Sequence, residues 1–225
     1  MNLEYTKAIN YQIDAPGSAI RTTVKLPASK SISNRALILN ALSYSAYDVE
    51  NLSDCDDTNL MVKALNSNDR DFNVGAAGTT MRFLTAFLSK VVGEWTITGT
   101  ERMKNRPIKV LVDALNALGA RIEYMEKEGY PPLRIFGSAL QGGEISLPGN
   151  VSSQYISAIL MIAPLTENGV TLHLEGAIIS RPYIHITLQL MEQYGVRASW
   201  TENTIKVLPQ EYKPIRFTVE SDWSA

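Results

Sequence analysis

The chain of 225 residues has one cysteine, Cys55, so no intramolecular disulfide framework holds it, and a reducing compartment suits it. Two histidines and that single cysteine are too few to expect a zinc site. There is no excess of positive charge either. Lys and Arg number 21 against 23 Asp and Glu, a net charge of −2. No global basic field therefore exists to hold DNA or RNA, and any anionic ligand must be held locally. No apolar stretch approaches about 18 uninterrupted residues, the longest being broken by Asn40, by Pro164 or by charges, so no membrane span is expected. The first ten residues lack the basic and then apolar regions of a signal peptide. Glycine (14) and proline (10) are too sparse for a collagen-like chain, and 45% apolar residues are too many for a disordered one. What remains is an ordinary globular chain, long enough to bury a core, of one or two domains.

Two segments, 94–137 and 169–209, read as copies of one unit. Each opens on a short strand, Trp95–Thr98 or Val170–Leu174, and passes a glycine, Gly99 or Gly176. Each then reaches an Arg-Pro pair, Arg106-Pro107 or Arg181-Pro182, where proline suits the opening of a helix. Gly119 and Gly195 are placed to end those helices in left-handed caps. A β-hairpin closes each copy, 121–124 with 133–136 and 197–200 with 204–207. In the first helix Ile108, Leu111, Val112, Leu115 and Leu118 recur at helical spacing. The second is apolar on more than one face (Ile184, Ile186, Leu188, Leu190, Met191) and is expected to be the more deeply buried. Further helices are predicted over 31–43, 58–65, 79–91 and 153–163, with 57–65 as the helix of a shorter third copy that has lost its hairpin. Residues 216–220 read as a strand and 221–225 as a cap entering a helix. Strand, helix and hairpin units on a shared core make an α/β or α+β domain.

Four predicted helix starts carry groups that suit an anion, because free N–H groups and the helix dipole favour negative charge there. At 26–35, Lys30, Ser31 and Arg35 converge, with Ser31 and Arg35 on one face; a serine cap with solvated charges fits the spacing about as well. At 75–82, Gly75 and Gly78 frame a loop whose N–H groups can approach a phosphate, with Thr79 and Arg82 behind it, although a plain turn before a helix also fits. At 102–107, three cations precede a helix, and Arg106, held by Pro107, offers a planar fork for phosphate or carboxylate. At 152–154, Ser152, Ser153 and Gln154 open one helix, and Ser180 stands before another beside Arg181, Pro182 and Tyr183. Together they argue for a small substrate bearing phosphate and carboxylate. His173 and His185 read as structural, and Cys55, with no histidine near it, does not read as a nucleophile.

In order along the chain, LPASKSISNRAL (26–37), GAAGTTMR (75–82), GTERMKNRPI (99–108), YPPLRI (130–135), SSQYISAILMIAPL (152–165), SRPYIHITLQLM (180–191) and VESDWSA (219–225) resemble the 5-enolpyruvylshikimate-3-phosphate synthase (3-phosphoshikimate 1-carboxyvinyltransferase) family, and the resemblance covers nearly the whole of this chain. The resemblance implies transfer of the enolpyruvyl group of phosphoenolpyruvate to the 5-hydroxyl of shikimate-3-phosphate, releasing phosphate. The route is addition through a tetrahedral intermediate, then elimination, with no metal and no organic cofactor. It implies a place in the shikimate pathway to chorismate and aromatic amino acids, a cytoplasmic monomer, and a glyphosate target. The implied fold is two similar domains of three βαβαββ units each. Lys30 resembles the catalytic lysine that touches both substrates. Ser31 and Arg35 match residues that hold the hydroxyl and carboxylate end of shikimate-3-phosphate. Ser152, Ser153 and Ser180 match its phosphate-binding serines, with Gln154 and Tyr183 lining the same pocket. Gly78, Arg106, Lys30 and Gln154 match phosphoenolpyruvate-binding positions.

The chain departs from the family pattern at Ala76, where asparagine is usual, at Phe83, where proline is common, at His185, where aspartate is common, and over 63–74, which is short by about one hairpin. The resemblance also implies a division into a strand stub of a second domain (1–20), a shikimate-3-phosphate-binding domain (21–218) and a re-entry into the second domain (219–225). The family's catalytic Asp and Glu belong to that second domain. The expectation is therefore a truncated, catalytically incomplete half that binds shikimate-3-phosphate without turnover. The related UDP-N-acetylglucosamine enolpyruvyl transferase is expected to carry Lys-Asn after its first strand and a catalytic loop cysteine; here Lys30 is followed by Ser31, and Cys55 lies in no such loop.

Overall fold

A computed structural model describes residue 12 and residues 14–222. Helix α1 (Lys30–Leu42) is the first of the described elements, followed by β1 (Val49–Glu50) and α2 (Asp56–Leu65). Then come β2 (Asp71–Asn73), α3 (Gly78–Lys90), β3 (Gly93–Thr98), the single turn α4 (Glu101–Lys104), α5 (Lys109–Ala117), and the hairpin β4 (Arg121–Tyr124) and β5 (Leu133–Gly137). The same order returns in β6 (Gly143–Pro148), α6 (Ser153–Ile162), β7 (Val170–Glu175), α7 (Arg181–Gln193), β8 (Ala198–Thr201) and β9 (Thr204–Val207), with β10 (Phe217–Thr218) last.

The two four-stranded sheets share one topology, β2-β3-β5-β4 and β6-β7-β9-β8. In each, the first pair is parallel and joined by a helical crossover, and a hairpin adds the other two strands antiparallel. The repeating unit is thus one strand and one helix longer than the copies predicted from sequence. Its opening strand was illegible in one copy because β2 is only three residues long, too short for alternation to register. A third unit is abbreviated. β10 pairs in parallel with β1, α2 follows, and the chain passes to β2 within five residues, leaving no room for a hairpin. That fits the expectation of a third copy without its hairpin.

Apolar faces of all three units close on one core, in which α6 is the central element: Ser153 and all of 155–162 are buried. α6 packs against α1, α3, α5 and α7. α7 was expected to be the more buried helix, but only Ile184, Thr187, Leu190 and Met191 are buried in it. It covers α6 from one side only, so Tyr183 and His185 face outward. Gly119 (φ +98°) and Gly195 (φ +87°) take the left-handed caps predicted for them.

Pro107 does not open α5. The helix begins at Lys109, because the Ile108 N–H is taken by the Gly129 carbonyl (2.8 Å) and the Pro107 carbonyl by the Tyr155 hydroxyl (2.7 Å). β10 is shorter than the predicted strand over 216–220, and Ser221 forms an isolated bridge to Ala28. The remainder of that predicted helix start, 223–225, lies outside the described residues, as does most of the strand expected within 1–20. No helix among the described residues is long and apolar enough to cross a membrane.

Candidate anion-binding site

Hydrogen bonds gather the first turns of five helices. Arg35, on the second turn of α1, is buried and donates from Nε to Thr187 Oγ1 (2.7 Å) on α7 and from Nη2 to Ser157 Oγ (2.9 Å) on α6. It also donates from Nη1 to the Ser31 carbonyl (2.8 Å) and from Nη2 to the Tyr183 carbonyl (3.5 Å). Ser31 is one turn before Arg35, Ser153 one turn before Ser157, and Ser180 one turn before Tyr183. These three serines therefore stand over the Arg35 node at the mouths of α1, α6 and α7. Among the described residues, none of their hydroxyls has a hydrogen-bond partner. Ser152 is different. It is the N-cap of α6, and its Oγ accepts the Gln154 N–H at 3.4 Å. Lys30, the first residue of α1, is exposed, and so is Tyr183.

A second cationic node lies at α3. The residue before the helix, Ala77, has no side-chain oxygen to cap it; Asp57 of α2 does so from outside. Its Oδ1 accepts the Thr79 N–H (2.9 Å) and its carbonyl accepts the Thr80 hydroxyl (2.6 Å). Two guanidiniums converge on Gly78. A methyl group placed there would lie 2.5 Å from Arg106 Nη1, 2.7 Å from Arg82 Nη1 and 2.9 Å from Arg106 Nη2. Glycine is required here for close approach, not for backbone freedom.

Arg82 is buried and held firmly. Nη1 donates to the Gly78 carbonyl (2.8 Å) and to Gln154 Oε1 (2.9 Å), while Gln154 Nε2 donates to Thr79 Oγ1 (3.1 Å), which fixes the orientation of that amide. The Arg82 guanidinium lies 5.3 Å from the centre of the Tyr155 ring, and its Nε is buried with no partner. Arg106 is exposed, and no protein acceptor among the described residues hydrogen-bonds its guanidinium. Burial first, and then repulsion from Arg82 and Arg102, hold its pKa below the usual arginine value, with Asp57 pulling the other way. Two adjacent guanidiniums, one without an acceptor, suit a carboxylate or phosphate. The Tyr155 hydroxyl on the Pro107 carbonyl ties the Arg106 loop to α6, so the two nodes share that helix.

Sequence reasoning placed Arg82 only behind the glycine loop and missed Asp57, Ser157 and Thr187. An arginine amid Met81, Phe83 and Leu84, four residues after Gly78, was the available signal for Arg82. Asp57 was hidden in an acidic run around Cys55, whose Sγ lies 3.3 Å from Thr58 Oγ1. The histidines are engaged elsewhere. His173 bonds Thr204 and pairs with Glu144 on the outer face of a sheet, and His185 stacks on Trp200. A cavity of about 560 Å³ lies at the far ends of α1 and α2, lined by Leu37, Ala41, Val62, Leu65 and Phe87, away from both nodes.

Repeated βαβαββ units thus present serines, a glycine loop and paired arginines at their helix mouths. The family profile described as EPSP synthase (3-phosphoshikimate 1-carboxyvinyltransferase) matches residues 15–68 and 66–225. The chain is 60% identical over 218 residues to the 3-phosphoshikimate 1-carboxyvinyltransferase of Bacteroides fragilis, covering 96% of this chain and 53% of that one. It is 42% identical over 239 residues to the protein of the same name from Vibrio campbellii, covering 93% and 56%. The solved structure of EPSP synthase from Acinetobacter baumannii shares the fold, with a TM-score of 0.78 at 21% identity over 88% of this chain and 50% of that one. The chain belongs to the EPSP synthase family. It spans about half the length of the curated relatives it matches.

Proposed function

We propose that this chain is the shikimate-3-phosphate-binding half of an enzyme that transfers the enolpyruvyl group of phosphoenolpyruvate to the 5-hydroxyl of shikimate-3-phosphate and releases phosphate, in the shikimate pathway. Residues 21–218 form the binding domain, and 1–20 and 219–225 connect to a second domain. The Ala28–Ser221 bridge and the Ser29 N–H on the Glu220 carbonyl (3.0 Å) support this, since both connections leave the domain side by side.

The carrying observation is the trio of unpartnered hydroxyls, Ser31, Ser153 and Ser180, above the buried Arg35 charge. Hydroxyls and helix N–H groups bind the phosphate of shikimate-3-phosphate, with Ser152 and Tyr183 beside them, and Ser31 and Arg35 hold the carboxylate end. Arg106 and Arg82 at Gly78 take phosphoenolpyruvate, with Gln154 between the two substrates. Glyphosate-like inhibitors compete at that same mouth. In the addition step the 5-hydroxyl oxygen gives up its proton and bonds to C2 of phosphoenolpyruvate, while the electron pair of the C2–C3 double bond takes a proton at C3. In the elimination step C3 loses a proton, the C2–C3 double bond re-forms, and the C2–O bond breaks with its electron pair leaving on phosphate. Lys30 assists these proton transfers, and with Arg106 stabilises the shifting negative charge. The acids that complete the reaction belong to the second domain, so turnover by this half alone is negligible. The protein works as a cytoplasmic monomer on small-molecule substrates.

Calorimetric titration with shikimate-3-phosphate beside a phosphate-release assay tests this reading. Weak binding with no measurable turnover is expected. Absence of binding at millimolar ligand overturns the half-site, and robust turnover overturns the incompleteness.

A further inference from the structure

Arg35 is a buried cation with no buried anion beside it. It is 2% exposed, and no carboxylate among the described residues pairs with it. Its neighbours are neutral oxygens and the Phe83 ring, whose centre lies 5.3 Å from Cζ. A guanidinium has five N–H groups. Four are used, on Thr187, Ser157, Ser31 and Tyr183, and the fifth belongs to Nη1, the nitrogen already on the Ser31 carbonyl in the first turn of α1.

The two hydroxyls that hold the fork are themselves fully determined. Ser157 and Thr187 are both 0% exposed, and their oxygens lie 2.8 Å apart. Thr187 donates its one proton to the Tyr183 carbonyl (3.0 Å), so Ser157 must be the donor to Thr187. Each hydroxyl then accepts from Arg35. The chain of bonds runs one way, from Arg35 through Ser157 and Thr187 to the Tyr183 carbonyl.

A carboxylate in either place would also hold the fork, but it would neutralise the guanidinium. We infer that Ser157 and Thr187 are positioning residues for the anion site: they fix Arg35 with neutral acceptors, turn its remaining N–H toward the Ser31 mouth, and leave its positive charge for the ligand. The inference rests on the reading that shikimate-3-phosphate binds at these mouths. It adds two residues, buried behind the site, that set the strength of that binding.

The test uses this chain and shikimate-3-phosphate as the probe, with circular dichroism to establish folding. Thr187→Val keeps the shape without the hydroxyl, Ser157→Ala removes the other hydroxyl, and Thr187→Ser restores the bond. Ser157→Asp places a carboxylate against the guanidinium. Thr187→Val and Ser157→Ala are expected to weaken binding by about tenfold, and Thr187→Ser to stay within about threefold of the unaltered chain. Folded Ser157→Asp is expected to lose binding more severely than Ser157→Ala, which a purely structural role would not produce. If Ser157→Asp does not fold, the other three variants decide. Folded Thr187→Val and Ser157→Ala that bind as the unaltered chain does overturn the inference. If the unaltered chain itself fails to bind, the proposed function fails first, and the positioning role with it.

Discussion

Replacing Gly78 with alanine separates the two cationic nodes. The new methyl group would meet three guanidinium nitrogens at 2.5, 2.7 and 2.9 Å. Ordinary contact is near 3.4 Å, so each nitrogen must retreat by roughly 0.5–0.9 Å. Arg106 is exposed and free to swing away, at little cost to the fold. Arg82 is held by the Gly78 carbonyl and Gln154, so its retreat loosens one of those bonds. Gly78 opens α3 with a backbone that alanine accepts, and alanine is the better helix former, so stability should change by less than about 1 kcal/mol. A binding group displaced by more than about 0.5 Å no longer meets its ligand productively. Loss of one charge-assisted hydrogen bond costs about 1.5–3 kcal/mol, roughly 10- to 100-fold in affinity. The assay is titration of phosphoenolpyruvate into the chain saturated with shikimate-3-phosphate, with thermal unfolding alongside. The expected result is a loss of at least about tenfold for phosphoenolpyruvate with shikimate-3-phosphate affinity within about twofold. Unchanged phosphoenolpyruvate affinity, or equal loss for both ligands, would refute the reasoning.

Arg106→Ala should weaken phosphoenolpyruvate binding by up to about 100-fold and shikimate-3-phosphate binding far less, measured by the same titrations. Asp57→Ala should destabilise the chain by about 1 kcal/mol through loss of the external cap on α3, while Asp57→Asn keeps the bond to the Thr79 N–H and most of the stability; urea midpoints distinguish them. Alkaline stability should follow the buried tyrosines. Burial raises Tyr124 and Tyr194 to about 12 and Tyr212 well above its usual value. Unfolded tyrosine loses its proton near about pH 10, so above that the folded chain binds more protons and stability falls as pH rises. Tyr212→Phe, which removes a hydroxyl bonded to the Met161 carbonyl (2.8 Å), should lower stability by about 1 kcal/mol at pH 7 and flatten the fall between about pH 10 and 12, seen in urea midpoints against pH.

How far the sequence was readable depended on whether the signal was local. The caps at Gly119 and Gly195 were legible because a left-handed turn demands glycine. The amphipathic stripe of α5 was legible because its apolar residues follow helical spacing over three turns. Ser31, Arg35, Ser153 and Ser180 could be named from position at helix starts. What those starts share, the Arg35 node, could not, because Arg35 meets Ser157 and Thr187 across 122 and 152 residues of chain. The depth of α6 over α7 was likewise a matter of packing: both sequences are apolar, and only α6 is covered on several sides. Pro107 misled because the local preference for a helix start yielded to distant partners, Gly129 and Tyr155, that took its neighbouring backbone groups.

The proposed function places one phosphorylated, carboxylated ligand at the mouths of α1, α6 and α7. A crystal structure of this chain soaked with shikimate-3-phosphate tests it most directly. The phosphate is expected between Ser152, Ser153 and Ser180, and the carboxylate end at Ser31 and Arg35. Density for the ligand at any other place, or phosphate bound away from these serines, would contradict it.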